Sequence, residues 1–484
     1  MVSGEAGGAT ANVDGGKRLS RLAVKPWRLL GFGYYQAWIY LAVLSTVLFT
    51  DPDFFSNHLQ FTRQYFSLSV AVCLFCLIFV SQKLDILSKR HYLLVAAASL
   101  TAMGTVLISL PLQDPDLHFV VVVVGMTMTS IGNAFLIVTW GALWSRMDTD
   151  RMGLHLVVSN AFAGCLYLVV TLLPSFIAVM LTAALPLCSA FTLLASEDEP
   201  LRQQEDTAAK PKRLLWKAIA AMAVIPFVFG IARAFSSPVE AADFNGLQHM
   251  IVLGMTVFAT AVALFVTLAP KQRIVIRLYR FVVPLMAAGF IALPFIPNAY
   301  RWMAFSAIMC GFYSFEGLVW LLQPEYVFRT KTSTIKVFGW GRCLFHFFGF
   351  AGATFGFYVI DQGMALSSIP APICLALVLA LIVLSTYVFT EHDLRLFIAK
   401  PKPAYESDDA HVYRAMSAKY GLSGREGEIL AMLGKGRSAP FIADSLFISK
   451  GTVKTHTRHI YDKMGVHSKQ ELLDLIEGES RGFR

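Results

Sequence analysis

The feature that most constrains the fold of this chain is a series of long apolar stretches between Leu29 and Phe389. Most are about 20 residues long, which is the length that an α-helix needs to cross the hydrocarbon core of a bilayer. A polar interruption at 196–213 divides the series into 29–195 and 214–390, with six stretches in each. We therefore predict an all-α, polytopic bundle of two six-helix halves joined by a linker. The twelve predicted spans are 29–50, 65–82, 91–111, 118–144, 152–173, 175–195, 214–235, 248–269, 278–297, 301–323, 335–360 and 367–389.

The basic residues between these stretches predict the topology. Lys and Arg in short loops accumulate on the cytoplasmic side of a membrane. The loops after even-numbered stretches, together with the first few residues of the next stretch, hold 17 Lys and Arg, whereas the corresponding segments after odd-numbered stretches hold only Arg63 and Arg301. This alternation predicts that both chain ends lie in the cytoplasm. Residues 1–28 have no apolar core before Trp27, so we predict a disordered basic leader rather than a cleaved signal peptide.

The composition excludes several functional classes. Only 15% of the residues are charged, whereas a soluble domain has about 25%. All seven cysteines lie in apolar stretches, where a free thiol behaves as a small hydrophobic group. The pair Cys73 and Cys76 lacks a second pair of ligands, so no zinc site or disulfide framework is predicted. We find no sequence motif of an enzyme, and expect no enzymatic activity, cofactor or metal ion.

The membrane region as a whole resembles the major facilitator superfamily, in which two six-helix halves are related by an axis along the membrane normal. A local motif supports the resemblance, because Asp85 precedes Lys89 and Arg90 in the loop after the second stretch. Serines 81 and 88 stand where that family has glycines.

Ionisable side chains within the apolar stretches are candidates for ligand binding, because such groups are costly at membrane depth. The strongest candidates are Glu316 in the tenth stretch and Arg342 and His346 in the eleventh. A second interpretation is equally open: Glu316 and Arg342 form a buried pair that only holds helices together.

The last part of the chain has the highly charged composition of a water-soluble region. Residues 391–484 contain 15 Lys and Arg and 13 Asp and Glu. We predict a tether at 391–419, a folded domain of four short helices at 420–477 and a tail at 478–484. Capping boxes are predicted at Ser423 with Glu426 and Ser468 with Glu471. Ser438 and Ser449 are predicted as further N-caps, and the predicted core is Ile429, Leu430, Leu433, Ile442, Leu446, Val453, Ile460, Met464, Leu472 and Ile476.

The third of these helices, 449–464, has an apolar stripe that leaves the opposite face polar. Lys454, Thr455 and Arg458 lie on that face. A helix in the major groove of DNA contacts base edges with such side chains, since Lys and Arg suit guanine. The flanking residues, predicted to contact phosphates, are Ser449, Thr452, His456 and Lys463. His456 and His459 lie three apart, but no carboxylate or thiol ligand is nearby in the motif, so we prefer a phosphate contact for His456 to a metal site.

At these positions the chain resembles the LuxR family of helix-turn-helix domains. The matching segments follow the family pattern in order and spacing: 422–426, Gly436, 442–443, 446–449, 452–456, 460–461, 463–464 and Val466. In that family the second helix is a scaffold and the third contacts DNA, which implies base-contacting roles for Lys454, Thr455 and Arg458. Pro440, Phe441 and Lys469 depart from the usual pattern. A helical module that binds another protein is the alternative interpretation of this domain.

The two parts together predict a one-component transcription regulator in the cytoplasmic membrane of a bacterium. The membrane region would bind an unknown small molecule, and the C-terminal domain would bind double-stranded promoter DNA as a homodimer. Two alternatives remain: a secondary transporter with a regulatory DNA-binding domain, and a membrane scaffold whose tail binds protein.

Overall fold

A computed structural model describes the chain in segments: 26–49, 52–87, 91–147, 149–196, 212–242, 249–258, 261, 274–297, 300–362, 371–390, 393, 410–446 and 448–482. Most of the predicted leader, nearly all of the predicted linker at 196–213 and most of the predicted tether at 391–419 lie outside the described residues. The chain divides into two compact units, one with the apolar helices up to residue 391 and one with the helices of the C-terminal part.

The described residues of the first unit form helices and connecting turns, with no strand. The helices are α1 (Pro26–Leu44), α2 (Pro52–Leu87), α3 (His91–Ile108), α4 (Pro115–Trp144), α5 (Thr149–Thr171), α6 (Ser175–Leu194), α7 (Lys212–Ala242), α8 (His249–Phe258), α9 (Ile274–Ala292), α10 (Arg301–Thr330), α11 (Thr334–Asp361) and α12 (Ala371–Val383), which continues into a π-helical turn (Leu384–Val388).

Each of the twelve predicted apolar stretches overlaps one of these helices. Within the described part of the chain, nine helices are long and apolar enough to cross a membrane, and His249–Phe258 and Tyr279–Ala292 are shorter apolar helices. The prediction of an all-α, multi-pass membrane region is therefore confirmed.

The second helix differs from its prediction in length. It begins at Pro52 and runs for 36 residues, whereas the predicted span begins at residue 65. Arg63, which the sequence analysis counted as a loop residue, consequently lies inside a helix.

Close backbone approach joins the third and fourth helices of each half. A Cβ atom at Gly104 of α3 would lie 2.5 Å from the carbonyl oxygen of Gly125 in α4. In the second half, a Cβ atom at Gly311 of α10 would lie 2.7 Å from the carbonyl oxygen of Val282 in α9. Small residues allow such approach between membrane helices, where packing replaces the hydrophobic effect. The same type of contact at equivalent helices supports a repeat of two six-helix halves.

The two halves contact each other through aromatic side chains and through two helix pairs. Phe32 of α1 packs against Trp320 of α10, with ring centroids 4.9 Å apart. Gly339 of α11 lies against Ile78 of α2, and Gly164 of α5 lies against Thr256 of α8. Since α8 and α11 are the counterparts of α2 and α5 six helices later, the same repeat relates these two contacts.

The second unit contains five described helices: α13 (Ala410–Lys419), α14 (Gly424–Gly434), α15 (Ala439–Leu446), α16 (Lys450–Met464) and α17 (Lys469–Gly482). The last four correspond to the four predicted helices. All ten residues that the sequence analysis assigned to the core are buried in one cluster.

The first of these helices, α13, falls within the segment predicted as a tether. Its side chains Val412, Tyr413 and Met416 are buried in the same apolar cluster as the four predicted helices. Lys419 also forms an ion pair with Glu479 of α17. The folded unit therefore includes 410–419, so the segment left as a tether is shorter than the sequence indicated.

Hydrogen-bonding side chains begin several of these helices as predicted. Ser423 and Glu426 form a complete capping box at the start of α14. At α17, Ser468 Oγ accepts from the Glu471 amide at 3.1 Å, but Glu471 accepts from the His467 amide rather than from that of Ser468. Ser438 is 3.5 Å from the Phe441 amide, the longest of these capping contacts.

Candidate nucleic-acid interface and membrane cavity

The position of α16 is set at both ends and along one face. Ser449 is its N-cap and accepts a hydrogen bond from the Thr452 amide at 3.0 Å. Gly465 ends it in the left-handed conformation, with φ of 69°, which glycine adopts without a steric penalty. Val453 and Ile460 are fully buried on the inner face.

The outer face of α16 presents the three residues predicted to contact bases. Lys454, Thr455 and Arg458 are all exposed. Thr455 Oγ1 donates to the Gly451 carbonyl at 3.1 Å, and its oxygen keeps lone pairs for a further partner. This face thus holds two cations and a hydroxyl group, a combination suited to base edges in a major groove.

The residues predicted to contact phosphates occupy different environments. Ser449 and Thr452 are exposed at the N-terminus of the helix, with their hydroxyl oxygens 2.8 Å apart. The helix N-terminus itself favours an anion such as phosphate. His456 is half-buried, and its Nδ1 atom has no hydrogen-bond partner among the described residues.

Lys463 is exposed, but its ammonium group is already engaged within the domain. Its Nζ atom is 2.7 Å from Oε2 of Glu426 and 3.1 Å from the Gly421 carbonyl oxygen. These contacts join the C-terminal end of α16 to the start of α14. The predicted phosphate contact of Lys463 competes with this ion pair.

Glu426 is a buried carboxylate with several hydrogen bonds. It accepts from the Ser423 amide at 2.8 Å as well as from Lys463. Burial raises the pKa of this carboxyl group, but the bonds from Lys463 and Ser423 outweigh that effect and hold the pKa at about 2. The group is therefore ionised at neutral pH and fixes α16 against α14.

The structure corrects one premise about the histidines of α16. The sequence analysis placed no carboxylate near His456 and His459, and this was wrong: their ring nitrogens and a Glu426 oxygen all lie within 4.8 Å of one another. His459 Nδ1 is 3.8 Å from Glu426 Oε1. The sequence contained a signal for this proximity, because Glu426 is the capping-box residue of a helix that packs against α16.

Arg425 lies in the matched segment 422–426, where no role was predicted for it, and the structure shows that it is a further positioning residue. Its guanidinium donates to Glu428 at 2.6 Å and to the carbonyl oxygen of Leu446 at 2.6 Å. Leu446 is the last residue of α15, just before the turn that leads into α16. Arg425 therefore stabilises the helix-turn-helix geometry from outside the turn.

In the membrane unit, the three predicted ligand-binding residues lie around one cavity. Its volume is about 120 Å³, and both halves contribute to its wall. Glu316, Arg342 and His346 all line it. Arg342 Nη1 donates to Glu316 Oε1 at 3.2 Å, so the predicted pair is present and is also part of the cavity.

Arg342 is the most completely buried charged side chain lining this cavity. It is 2% exposed, and its guanidinium carbon lies 3.9 Å from the centroid of the Trp320 ring. Arg63, Arg233 and Asn133 line the same cavity. Arg63 was not among the predicted residues, because the extent of α2 could not be judged from hydropathy alone.

The membrane unit is similar to two transporters of known structure. A bacterial homologue of the iron transporter ferroportin in an outward-facing state has a TM-score of 0.48 at 11% identity over 74% of this chain and 96% of that one. The nucleoside transporter NupG has a TM-score of 0.38 at 14% identity over 75% of this chain and 98% of that one. Likenesses at this level say nothing about what the membrane region binds or moves.

The C-terminal domain has closer relatives. Residues 421–476 match the model of the family described as bacterial regulatory proteins, luxR family. The oxygen regulatory protein NreC of Staphylococcus aureus strains JH9 and JH1 is 47% identical over 53 residues. That match spans 11% of this chain and 24% of the relative. The segment 421–476 is thus a helix-turn-helix domain of the luxR family of bacterial regulatory proteins, on a chain that also has a multi-pass membrane region.

Proposed function

We propose that this protein is a membrane-anchored, one-component transcription regulator. The observation behind the proposal is the presence, in one chain, of a luxR-family domain with an exposed basic face on α16 and a membrane region with a partly polar cavity. The domain would bind promoter DNA, and the membrane region would bind the small molecule that controls it.

In this proposal α16 enters the major groove. Lys454 and Arg458 contact base edges as cations, and Thr455 adds a hydroxyl group between them. Ser449, Thr452 and His456 contact phosphates near the start of the helix, which fixes its register without specifying sequence. Lys463 reaches a phosphate only by sharing its ammonium group with Glu426.

The domain would act as a homodimer. One small helix-turn-helix domain contacts only a half-site, and two copies contact half-sites separated by about one turn of DNA. Dimerisation of full-length chains in the membrane would bring two domains close together. Binding of the small molecule would then change the populations of two states of the membrane region. In one of these states the two DNA-binding domains are paired.

The proposed function also determines on which side of the membrane the C-terminal domain lies. Promoter DNA lies in the bacterial cytoplasm, so the C-terminal domain must lie on the cytoplasmic side of the inner membrane. The 17 basic residues in the loops after even-numbered spans and in the first few residues of the following spans support that orientation. Reaction of single cysteines introduced into these loops with an impermeant reagent would test it.

The test of DNA binding uses the full-length protein in detergent and fluorescently labelled promoter fragments. Binding at low salt should weaken steeply as salt rises, because Lys and Arg release counterions from DNA. Lys454→Ala and Arg458→Ala should each weaken binding to the specific fragment. Equal binding by the wild type and by both variants would refute the proposed role of α16.

A secondary transporter with a regulatory domain is the second candidate, and one observation favours it. The cavity is lined by helices of both halves, an arrangement that allows access to alternate between the two sides of a membrane. This function predicts accumulation of the ligand in proteoliposomes and its loss in Glu316→Gln. Ligand-dependent thermal stabilisation without uptake would instead favour the sensor.

A further inference from the structure

We infer that the membrane cavity binds a compact organic anion, most simply a carboxylate, through the guanidinium group of Arg342. This inference rests on the proposed function, since it names the chemical class of the controlling small molecule.

Buried nitrogen atoms of two residues that line the cavity have no hydrogen-bond partner among the described residues. Arg342 uses only Nη1 for Glu316, and its Nε and Nη2 atoms have no partner among the described residues. Asn133 is 1% exposed. Its Oδ1 accepts from Tyr35 at 2.8 Å, while its Nδ2 atom is also unpaired among the described residues.

Buried hydrogen-bond donors beside a cavity favour a ligand whose polar atoms are all hydrogen-bond acceptors. An ionised carboxylate has acceptor oxygens and no donor, and it can take two parallel bonds from the Nε–H and Nη–H groups of one guanidinium. A buried donor without a partner is costly. A carboxylate would therefore satisfy groups that a cation could not satisfy.

The charge around the cavity points the same way. Its described lining contains three arginines, Arg63, Arg233 and Arg342, and one carboxylate, Glu316. Glu316 contacts a single nitrogen of Arg342, at 3.2 Å. An anion would lower the cost of holding the guanidinium charge of Arg342 away from water.

The residues that line the cavity also limit the size and the polarity of the rest of the ligand. Phe229, Phe312 and Phe345 line the cavity beside the polar groups. Its volume of about 120 Å³ is comparable with the cavities of roughly 150 Å³ that accept benzene. A small aromatic or short aliphatic acid matches both the size and the apolar walls.

The test compares probes that share a shape and differ in charge. Thermal unfolding and binding of the full-length protein in detergent are measured with benzoate, benzamide and benzylamine, and with acetate and acetamide, at matched ionic strength. We expect benzoate to bind at least tenfold more tightly than benzamide, which corresponds to about 1.4 kcal/mol. Benzylamine should give no stabilisation, and acetate should exceed acetamide.

Two variants separate ligand binding from a merely structural role. Arg342→Gln should abolish the preference for benzoate over benzamide, whereas Glu316→Gln should retain or strengthen it because the competing carboxylate is gone. Lys336→Gln is the matched control, since this exposed cation lies on the same helix but does not line the cavity. Opposite effects at two partners of one ion pair are not expected from simple destabilisation.

The inference is overturned if benzamide or benzylamine binds as tightly as benzoate, or if neither carboxylate stabilises the wild-type protein. It is also overturned if Arg342→Gln folds and keeps the full preference for benzoate. DNA binding by Lys454→Ala, measured on similar preparations, tests the proposed regulator separately. Failure of the carboxylate probes with intact, Lys454-dependent DNA binding would thus remove only the ligand class.

Discussion

The two units of this protein each contain an ion pair with one buried partner, Glu426 in one and Arg342 in the other, and the two buried groups differ in how completely they are satisfied. In the C-terminal domain, Glu426 accepts from Lys463 and from the Ser423 amide. In the membrane unit, Arg342 contacts Glu316 through one nitrogen and has two further nitrogens without a partner among the described residues. A satisfied buried charge stabilises a fold, whereas an incompletely satisfied one is a candidate for ligand binding.

The two units also differ in which substitutions their packing tolerates. The C-terminal domain surrounds an apolar core that water would otherwise contact, so removal of buried atoms should be the damaging change. The membrane helices approach through glycines, so addition of an atom should be the damaging change there. The predictions below test both contrasts.

The largest effect is expected from Met416→Ala in α13. Met416 is fully buried in the core of the C-terminal domain. The truncation should lower the free energy of unfolding by about 2–5 kcal/mol. Urea unfolding of a fragment spanning residues 410–484 measures it, with the exposed Ala418→Ser as a control. An unchanged midpoint would mean that α13 is not part of the folded domain.

Loss of a base contact is expected to be the next largest effect. Arg458→Ala or Lys454→Ala should each weaken binding to a specific promoter fragment by about 1–3 kcal/mol. The exposed Lys435→Ala removes a cation outside α16 and should have a smaller effect. Anisotropy titrations at several salt concentrations distinguish the loss of a specific contact from a uniform loss of charge. Equal losses for all three variants would argue against base contacts by α16.

The satisfied pair of the C-terminal domain predicts a pH dependence with a definite sign. The pKa of Glu426 is held at about 2, below its ordinary value of 4.5. The ionised group therefore stabilises the domain above pH 4.5, and that stabilisation is lost as the pH falls through about 2. Glu426→Gln should cost about 2 kcal/mol at neutral pH, allowing for the partial exposure of Lys463.

Unfolding of the 410–484 fragment between neutral and acidic pH checks this prediction. The difference in stability between the wild type and Glu426→Gln should shrink as the pH falls. Asp462→Asn on the exposed side of α16 is the control and should stay within about 0.5 kcal/mol of the wild type. A constant difference at every pH would exclude the ionised carboxylate as the cause.

The smallest effect is expected from an added methyl group between membrane helices. Gly104→Ala would place a carbon 2.5 Å from the Gly125 carbonyl oxygen, so α3 and α4 must separate, at a cost of about 1 kcal/mol or more. Gly254→Ala is a milder control, since its nearest neighbour is Ser306 Oγ at 3.3 Å. Melting temperatures of the full-length variants in detergent compare them. Equal stability of both would contradict the proposed close packing.

Local patterns in the sequence predicted much of this architecture. The apolar stretches predicted the membrane helices because a bilayer requires about 20 apolar residues for each crossing. The spacing of Val453 and Ile460 predicted which face of α16 is buried, and therefore that Lys454 and Arg458 are exposed. The pairing of Glu316 with Arg342 was one of the two interpretations left open, because a buried charge needs a partner.

What the sequence could not predict depends on tertiary contacts. Lys463 lies in a helical pattern that leaves it exposed, and only the approach of α14 gives it Glu426 as a partner. Arg63 looked like a loop residue because polar side chains occupy the first turns of α2. The inclusion of α13 in the core depends on Met416 meeting side chains that follow it in the chain.

The most direct test of the central claim is genome-wide mapping of the DNA bound by the full-length protein in cells, with Arg458→Ala measured in parallel. The account predicts that the wild-type protein is enriched at a small set of promoters that share half-sites about one helical turn apart. It also predicts that Arg458→Ala reaches the membrane in equal amount and loses this enrichment. Absence of enrichment in the wild type, or the same sites with equal occupancy in the variant, would contradict the account.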